Sequence, residues 1–508
     1  MGISYAKTVE KWGTFEVTVT GPKDGNPFCD QWIRGIFECK NEKKTVDGFY
    51  DGDGIYKVRF MPSFEDTYNF EIETSFENTD MFTGSFTATH PSADNHGPVR
   101  VAGTYYLAYE DGTPYHCIGT TCYVWNLQNE ELQKQTLKTL EENAFNKIRF
   151  CIFPKHYDYN LHEPITYPYE GTPCDSSVLN ENNFAEYNGC APGNDWDFTR
   201  FNPAHFQHIE KCIQALMNLG IEADLIVMHP YDRWGFSMMK AEDDDRYWKY
   251  VLARFSAYRN VWWSLANEYD LMHEKTLSDW ERYAGIICEK DPYHHLRSIH
   301  NCKAYYDYNL PWITHCSIQR TETYRSSELV NEWREKYHKP VILDEICYEG
   351  NIQFGWGNIS GEEMTRRFWE AFCRGGYPGH GETYLSPDRI LWWSHGGVLH
   401  GTSPERIRFL AKIMEETPGL GVEPMPCKWD EVACRAAGFP ARKDYFIYYY
   451  SFMRPGFRDF YFDDTTEYQV EIIDTWEMTI TDGGIHKGKF RVKLPGKEYM
   501  AVRLRVAK

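Results

Sequence analysis

The chain has 508 residues, of which 74 are Asp or Glu and 54 are Lys or Arg, so its net charge is −20. A chain of this length exceeds one compact core and predicts about three domains. The negative charge disfavours nucleic acid as a partner, because a polyanion would be repelled. No apolar run approaches the ~18 residues that a membrane-spanning helix needs, so no membrane partner is expected.

Residues 1–19 alternate polar and apolar side chains and lack the continuous apolar stretch of a secretory signal. A cytoplasmic location is therefore expected. The fifteen cysteines are scattered and odd in number, and their spacing fits no common zinc pattern. They are predicted to be buried free thiols, and neither a metal nor another cofactor is expected.

Aromatic residues make up 16% of the chain, with 17 Trp, 36 Tyr and 30 Phe. Sugars stack their flat C–H faces on such rings, so the composition fits a carbohydrate ligand. Large aromatic side chains also fill ordinary hydrophobic cores. Composition alone leaves these two interpretations open.

The first domain is predicted to span residues 1–92 and to be a β-sandwich. Phe15–Thr20 and Ile55–Phe60 alternate in the manner of strands, and a turn signal at Asp51-Gly52-Asp53-Gly54 lies between them. The Pro- and Gly-containing stretch from Pro91 to Pro98 resembles a linker. No long helical pattern interrupts this region.

Residues 99–420 are predicted to form a (β/α)₈ TIM barrel, because short apolar runs alternate with amphipathic helical patterns. The eight predicted strands are Tyr115–Thr120, Lys147–Phe153, Glu222–Met228, Val261–Ala266, Leu296–His300, Ile313–Ile318, Pro340–Leu343 and Gly379–Leu385. A doubly wound open sheet is the main alternative, but it would normally carry an early glycine-rich phosphate loop, and the chain has none. Residues 421–508 return to alternating strands and predict a small C-terminal β-sandwich.

Two carboxylates follow barrel strands at the positions where catalytic groups of TIM barrels lie. Glu268 follows the predicted fourth strand in Trp262-Trp263-Ser264-Leu265-Ala266-Asn267-Glu268, and Glu345 ends the seventh in Val341-Ile342-Leu343-Asp344-Glu345. Cleavage of a glycosidic bond needs two such groups, one to protonate the departing oxygen and one to attack or to activate water. A single Glu at a strand end is more often a salt-bridge or solvated residue, and it is the pairing that points to catalysis.

These motifs resemble glycoside hydrolase clan A, whose barrels carry Asn-Glu after strand four and a nucleophilic Glu after strand seven. Asn267-Glu268 and Asp344-Glu345 match that pattern, and Asn146-Lys147-Ile148-Arg149 is similar to the clan's Asn-x-x-Arg on strand two. The resemblance implies a retaining mechanism with Glu268 as acid/base and Glu345 as nucleophile. It also implies carboxyl groups about 5–5.5 Å apart.

A closer resemblance is to the apiosidase-like group, in which an N-terminal β-sandwich precedes the barrel and a β-domain follows it. Asp47-Gly48-Phe49-Tyr50-Asp51-Gly52 looks like part of that accessory domain, and Asp344-Glu345-Ile346-Cys347-Tyr348-Glu349-Gly350 is similar to the group's strand-seven motif. The likeness covers nearly the whole chain. One departure is Glu268, because apiosidases carry Asp at this place, and this points away from apioside as the substrate.

Further residues are predicted to bind the sugar. Arg149 is expected beside Glu345, where its charge would favour the ionised carboxylate, while the tryptophans near Glu268 would raise its pKa. Asn267 is placed to bond a sugar 2-hydroxyl. The remaining candidates, each with an ordinary structural role as its alternative, are His229, His315, Trp125, Trp392 and Trp393.

The function predicted from the sequence is exo-action on a short, plant-derived glycoside or oligosaccharide, since the long loop 154–202 would shape a pocket. Alternatives are a non-catalytic carbohydrate-binding barrel and a metal-dependent barrel hydrolase using His229, Asp232, His300 and His315. Glu349 is an alternative nucleophile. The β-domains offer surfaces for assembly, which leaves a homo-oligomer open.

Overall fold

The N-terminal region is a β-sandwich of two sheets, as predicted. The computed structural model describes residues 2–77, 81–426 and 431–507. One sheet contains, in spatial order, Ile3–Tyr5, Phe15–Thr20, Ile55–Phe60 and Phe49–Tyr50. The other contains Thr8–Glu10, Phe82–Thr89, Thr67–Thr74, Ile33–Glu38 and Lys43–Asp47. Alternate strand residues face inward and form one apolar core, in which Phe15 stacks on Phe86 at 3.7 Å between ring centroids.

The central region is an eight-stranded parallel barrel, which confirms the predicted fold class. Its strands, in chain order, are Gly119–Thr121, Lys147–Cys151, Glu222–Met228, Val261–Ala266, Arg297–Ser298, Cys316–Gln319, Val341–Glu345 and Tyr377–His380. We call them barrel strands one to eight. Their spatial order is 5-4-3-2-1-8-7-6, and a bridge between His300 and Ser317 brings the two ends together. A short hairpin, Val99–Ala102 with Tyr106–Tyr109, precedes the barrel.

The helices pack outside the barrel and alternate with its strands. Those of eight residues or more are Glu130–Glu141, Pro203–Asn218, Ala241–Phe255, Leu277–Lys290, Val330–Tyr337, Gly361–Cys373 and Ser403–Glu415. Four-residue helices lie at Pro27–Asp30 and Trp392–His395. Helix Pro203–Asn218 buries Phe206, Ile209 and Ile213 at the predicted helical spacing. Residues 299–315, all of them described, contain turns instead of the helix that usually follows the fifth strand.

The C-terminal region is a second, smaller β-domain. A six-stranded antiparallel sheet contains, in spatial order, Val422–Met425, Val432–Ala436, Tyr445–Tyr449, Met500–Val506, Tyr468–Asp474 and Thr479–His486. A two-stranded sheet contains Phe457–Tyr461 and Lys489–Lys493. The two enclose a small apolar core that includes Phe446, Phe460 and Val470.

The described cysteines and helices can be compared with the sequence predictions. The fourteen cysteines in the described residues are all free thiols, and nine of them are buried. Within the same residues, none of the helices combines the length and apolarity that would be required to span a bilayer. The long loop after barrel strand two carries a hairpin of its own, Tyr169–Thr172 with Asp195–Phe201.

Candidate active site

The two predicted catalytic carboxylates lie at the carboxyl end of the barrel. Glu345 is the last residue of barrel strand seven, and Glu268 follows barrel strand four by two residues. Each keeps only about 6% of its surface exposed. Parallel strands deliver their carboxyl ends to one rim, which explains why residues far apart in sequence meet here.

Glu345 is held by an arginine and a tyrosine. Tyr123 donates its hydroxyl to Glu345 Oε1, and Arg149 Nη1 donates to the same oxygen at 3.3 Å. A β-bulge lies between Ser317 and Gln319, where barrel strand six pairs with strand seven. Such a bulge re-aims side chains, and here Asp344 and Glu345, though consecutive, both contact Arg149.

Glu268 is fixed by contacts from two other loops. Tyr231, after barrel strand three, donates its hydroxyl to Glu268 Oε2, and Gln319 at the end of strand six donates to Oε1 at 2.9 Å. The backbone of Glu268 has φ +51°, in the left-handed region. A non-glycine residue there costs roughly 1–3 kcal/mol and is characteristic of functional sites.

The amide side chain of Asn267 connects the two carboxylates. Its Oδ1 accepts hydrogen bonds from Tyr123 at 3.2 Å and from Arg149 Nη2 at 3.1 Å, the two groups that hold Glu345. Its Nδ2 lies 3.5 Å from Glu268 Oε2. Asn267 is therefore in place to set the relative position of the two acids.

Burial and the negative charge of Glu268 raise the pKa of Glu345 to about 7, although Arg149, Tyr123 and Lys155 act in the opposite direction. The sequence predicted that Arg149 would keep Glu345 ionised. The contact is present, but the cost of burying the charge is larger. The raised pKa that the sequence predicts for Glu268 stays a prediction.

A buried charge network below the site fixes Arg149. Lys147 Nζ lies 2.7 Å from Asp224 and 2.7 Å from Asp344, and Arg149 Nε lies 3.6 Å and 3.8 Å from the same two carboxylates. Burial would raise the pKa of Asp344, but Lys147 and Arg149 outweigh it and hold that pKa well below its usual range. Two cations and two carboxylates therefore balance one another beneath the site, and the guanidinium of Arg149 extends from this cluster towards Glu345.

A buried lysine stands among aromatic rings beside the acids. Lys155 Nζ lies 3.5 Å from the ring centroid of Tyr123 and 4.4 Å from those of Tyr231 and Trp393. Burial lowers the pKa of Lys155 to about 8. These ring faces stabilise the ammonium ion by cation–π attraction, so the site holds one cation besides Arg149.

Trp393 is brought into the site, whereas three other predicted sugar-binding residues are not. Trp392 donates from Nε1 to Thr120 Oγ1 at 2.9 Å, on the outer face of barrel strand one. Trp125 is fully buried and packs against Phe150 at 5.7 Å between ring centroids, also outside the barrel. Strand alternation separates these outer positions from the lumen. The structure therefore does not bring Trp125 or Trp392 to the two acids.

His315 lies at the wrong end of the barrel for sugar binding. It precedes barrel strand six, and its ring packs against Trp262, the second residue of strand four, at 5.4 Å between centroids. Gln319, which reaches Glu268, is four residues further along the strand, about 13 Å away at the usual rise. A histidine at the start of a strand cannot contact groups at its end.

His229 follows barrel strand three and lies on the same rim as the acids. Its Nε2 lies 3.3 Å from the carbonyl oxygen of Phe153, and its Nδ1 has no hydrogen-bond partner in the described part of the chain. Burial lowers the pKa of His229 to about 3, so the ring is neutral. Its role in sugar binding stays a prediction.

Three residues of the site were not found from the sequence, namely Tyr123, Lys155 and Tyr231. Tyr123 lies two residues after barrel strand one, and Tyr231 lies three residues after barrel strand three. Many residues at the rim of the barrel share such positions, so the position alone did not single out these two. Lys155 lies in the loop after strand two, where the sequence pattern gives no orientation. Their side-chain directions depend on loop conformation.

The metal-dependent alternative required His229, Asp232, His300 and His315 to converge. Asp232 instead accepts backbone hydrogen bonds from Trp234 and Ser237, both at 2.8 Å. In the described residues, the one group with metal-ligand spacing is Glu349, His380 and Glu382, which contains none of the four. The predicted catalytic metal set is therefore not formed.

A cleft of about 970 Å³ opens beside the site at the carboxyl end of the barrel. Its walls come from the long loop after barrel strand two, from the loop after strand seven and from the loop after strand eight. They include Tyr159, Asn180, Gln353 and His395. Tyr159 also faces Trp393, at 6.5 Å between ring centroids, which places an aromatic wall between the cleft and the acids.

Comparison with known proteins identifies the family to which the chain belongs. Residues 102–417 match the model of the apiosidase-like catalytic domain. The chain belongs to the apiosidase-like family. The flanking regions of this apiosidase-like chain match two domains of unknown function, DUF5060 at residues 8–75 and DUF5605 at residues 429–505. As a member of this family, it is a glycosidase.

Two solved structures are similar to the apiosidase-like chain. A protein from Bacteroides vulgatus ATCC 8482, provisionally assigned as a glycoside hydrolase, is 38% identical, with 99% of this chain and all of that one covered and a TM-score of 0.91. A family 5 glycoside hydrolase from the same organism is 16% identical, with 81% and 93% covered and a TM-score of 0.61, which shows a shared fold. Among curated proteins, none matches.

Proposed function

We propose that the protein is a retaining, exo-acting glycosidase in which Glu345 is the nucleophile and Glu268 the acid/base. The observation that supports this most strongly is the connection of the two buried carboxyl groups through Asn267, with a tyrosine holding each one. The retaining mechanism needs two carboxyl groups about 5–5.5 Å apart, so that one sugar fits between them without a water.

In the first step, a carboxylate oxygen of Glu345 forms a bond to the anomeric carbon. The glycosidic C–O bond breaks, its electron pair goes to the departing oxygen, and Glu268 gives that oxygen a proton. Arg149 and Tyr123 favour the charged form of Glu345 that attacks. Asn267 Nδ2 is the group placed to bond the sugar 2-hydroxyl.

In the second step, Glu268 takes a proton from water while the water oxygen attacks the anomeric carbon. The bond between that carbon and Glu345 breaks, and its electrons return to the carboxylate. Both acids are then in their starting states, and the product keeps the substrate's anomeric configuration. Tyr231 and Gln319 hold Glu268 between the two steps.

The cleft favours a short substrate. Its walls come from three loops at the carboxyl end of the barrel, and Tyr159 in the cleft lies 6.5 Å from Trp393 of the site between ring centroids. A cleft formed by loops in this way suits removal of one terminal sugar from a short glycoside. Family membership favours catalysis over the non-catalytic sugar-binding alternative.

The roles of the two acids can be distinguished by comparing the activity of their variants on substrates with good and poor leaving groups. With nitrophenyl pentosides and hexosides as the panel, Glu345→Gln is expected to lose activity by at least about 10³-fold on every substrate, because no bond to the sugar can form. Glu268→Gln is expected to lose about 10²–10⁴-fold on poor leaving groups but far less on dinitrophenyl glycosides, which need no proton.

Glu170→Gln, at an exposed residue of the hairpin Tyr169–Thr172, is the matched control and should retain wild-type rates. Circular dichroism would establish that each variant is folded. If Glu268→Gln lost equal activity on both classes of leaving group, its role as proton donor would be disproved.

A further inference from the structure

A buried trio of side chains lies outside the barrel lumen, behind the loops that carry the aromatic wall. Glu349 follows barrel strand seven, His380 ends strand eight, and Glu382 follows it. One potential ligand atom from each lies within 4.8 Å of the others. Glu349, the alternative nucleophile, is therefore separate from the proposed catalytic pair.

The two carboxylates are tied to one loop by backbone N–H groups. Glu349 accepts from Thr402 N at 2.7 Å and Ser403 N at 3.0 Å. Glu382 accepts from His400 N at 2.6 Å and Gly401 N at 2.8 Å. Within the described residues neither carboxylate forms an ion pair, so two acids stand side by side with no cation to balance them.

His380 supplies the second, independent observation. It is fully buried, its Nδ1 lies 3.1 Å from Thr120 Oγ1, and its Nε2 has no hydrogen-bond partner among the residues that the structure describes. With Nδ1–H donating to Thr120, the lone pair of Nε2 is free for a ligand. Ring nitrogens of metal-binding histidines are oriented by such a bond from the opposite nitrogen.

The spacing of the trio is compatible with one metal ion shared by the three side chains. The three groups approach within 4.8 Å of one another, yet no hydrogen bond joins any two of them in the described structure. Ligands about 2.0–2.2 Å from a zinc ion lie roughly 3–4 Å from one another. Gly401 keeps the space open, because a Cβ there would lie 2.5 Å from Glu349 Oε2 and 2.7 Å from Glu382 Oε2.

We propose that Glu349, His380 Nε2 and Glu382 bind a structural Zn²⁺ ion. One imidazole and two carboxylates suit Zn²⁺, whereas Ca²⁺ takes oxygen ligands alone. The ion would join the loops after barrel strands seven and eight to the start of helix Ser403–Glu415. In the sequence, Trp393 lies between Glu382, which would bind the ion, and His400, whose backbone N–H donates to Glu382. The ion would therefore also hold in place the segment that carries Trp393. The site is independent of the proposed reaction.

The test is metal content of the full-length protein, measured by inductively coupled plasma mass spectrometry after gel filtration. Wild type loaded with Zn²⁺ is expected to retain one ion per chain, and His380→Gln and Glu382→Gln are expected to retain at least tenfold less. His338→Gln, at an exposed histidine, is the control for adventitious binding and should keep the ion. Ca²⁺ in place of Zn²⁺ should not be retained.

A second measurement uses the wild type alone and so does not depend on whether the variants fold. Wild type stripped with a chelator should unfold at a lower temperature, and Zn²⁺ should restore its midpoint whereas Ca²⁺ should not. Absence of retained Zn²⁺ in the wild type, or equal retention in wild type and His380→Gln, would overturn the proposal. The assay measures metal content and not turnover. Its result therefore does not depend on whether Glu345 and Glu268 have the proposed catalytic roles.

Discussion

At the scale of single residues, the site is governed by two opposing effects on Glu345. Burial and the charge of Glu268 favour its neutral form, and Arg149 and Lys155 favour its charged form. A nucleophile must be ionised, so kcat/KM is expected to fall at low pH as Glu345 is protonated. The pKa of about 7 includes the charge of Glu268, which is protonated when Glu345 attacks, so the acidic limb of kcat/KM is expected below pH 7.

Lys155→Met tests this balance. Removing the ammonium ion takes away an attraction that lowers the pKa of Glu345, so the acidic limb of kcat/KM against pH should move to higher pH.

Lys155→Arg keeps the charge and is the matched control, with its acidic limb expected near that of the wild type. The measurement is the pH profile of kcat/KM for the three proteins with one nitrophenyl substrate. An acidic limb at the same pH in all three would show that Lys155 does not influence the nucleophile.

At the scale of secondary-structure elements, the eight barrel strands were predictable because each is a short apolar run between turn signals and helical patterns. The two glutamates followed from the rule that parallel strands end on one rim. The missing helix after barrel strand five was not predictable, because residues 299–315 contain apolar and aromatic residues that fit either helix or turn.

The sequence pattern did not predict the direction in which individual side chains point. Trp392 and Trp393 are adjacent, yet one bonds Thr120 on the outside and the other faces Tyr123 in the site. They belong to a four-residue helix whose orientation is set by packing and has no periodic pattern. The sequence placed His315 inside barrel strand six, which was predicted to begin two residues before it. The strand instead begins one residue after His315.

At the scale of the whole molecule, a buried charge network joins the N-terminal sandwich to the barrel. Arg59 of the sandwich donates to Glu210 of helix Pro203–Asn218 at 2.6 Å and 3.0 Å, and Arg254 donates to Glu210 at 2.7 Å. Asp51 pairs with Arg254 at 2.7 Å. All four side chains are buried. The sandwich is thus attached to the barrel by ion pairs and is not a loosely linked module.

Glu210→Gln should destabilise this junction. Removing one partner of a buried ion pair leaves an uncompensated charge, and the cost is about 3–5 kcal/mol. The midpoint of urea unfolding should fall, while kcat/KM at low urea stays unchanged, because Glu210 is on the outer layer. Glu73→Gln, which breaks the exposed pair with Arg34, is the control and should cost at most about 1 kcal/mol. Equal effects of the two substitutions would show that the junction adds no stability.

The covalent bond between sugar and Glu345 is the most direct test of the proposed mechanism. A 2-fluoro glycoside with a good leaving group slows release of the intermediate, so the enzyme should accumulate a stable adduct. Mass spectrometry of the intact protein and of its peptides should show one added glycosyl group, located on Glu345. An adduct on another carboxylate, or turnover that inverts the anomeric configuration without any adduct, would contradict the account.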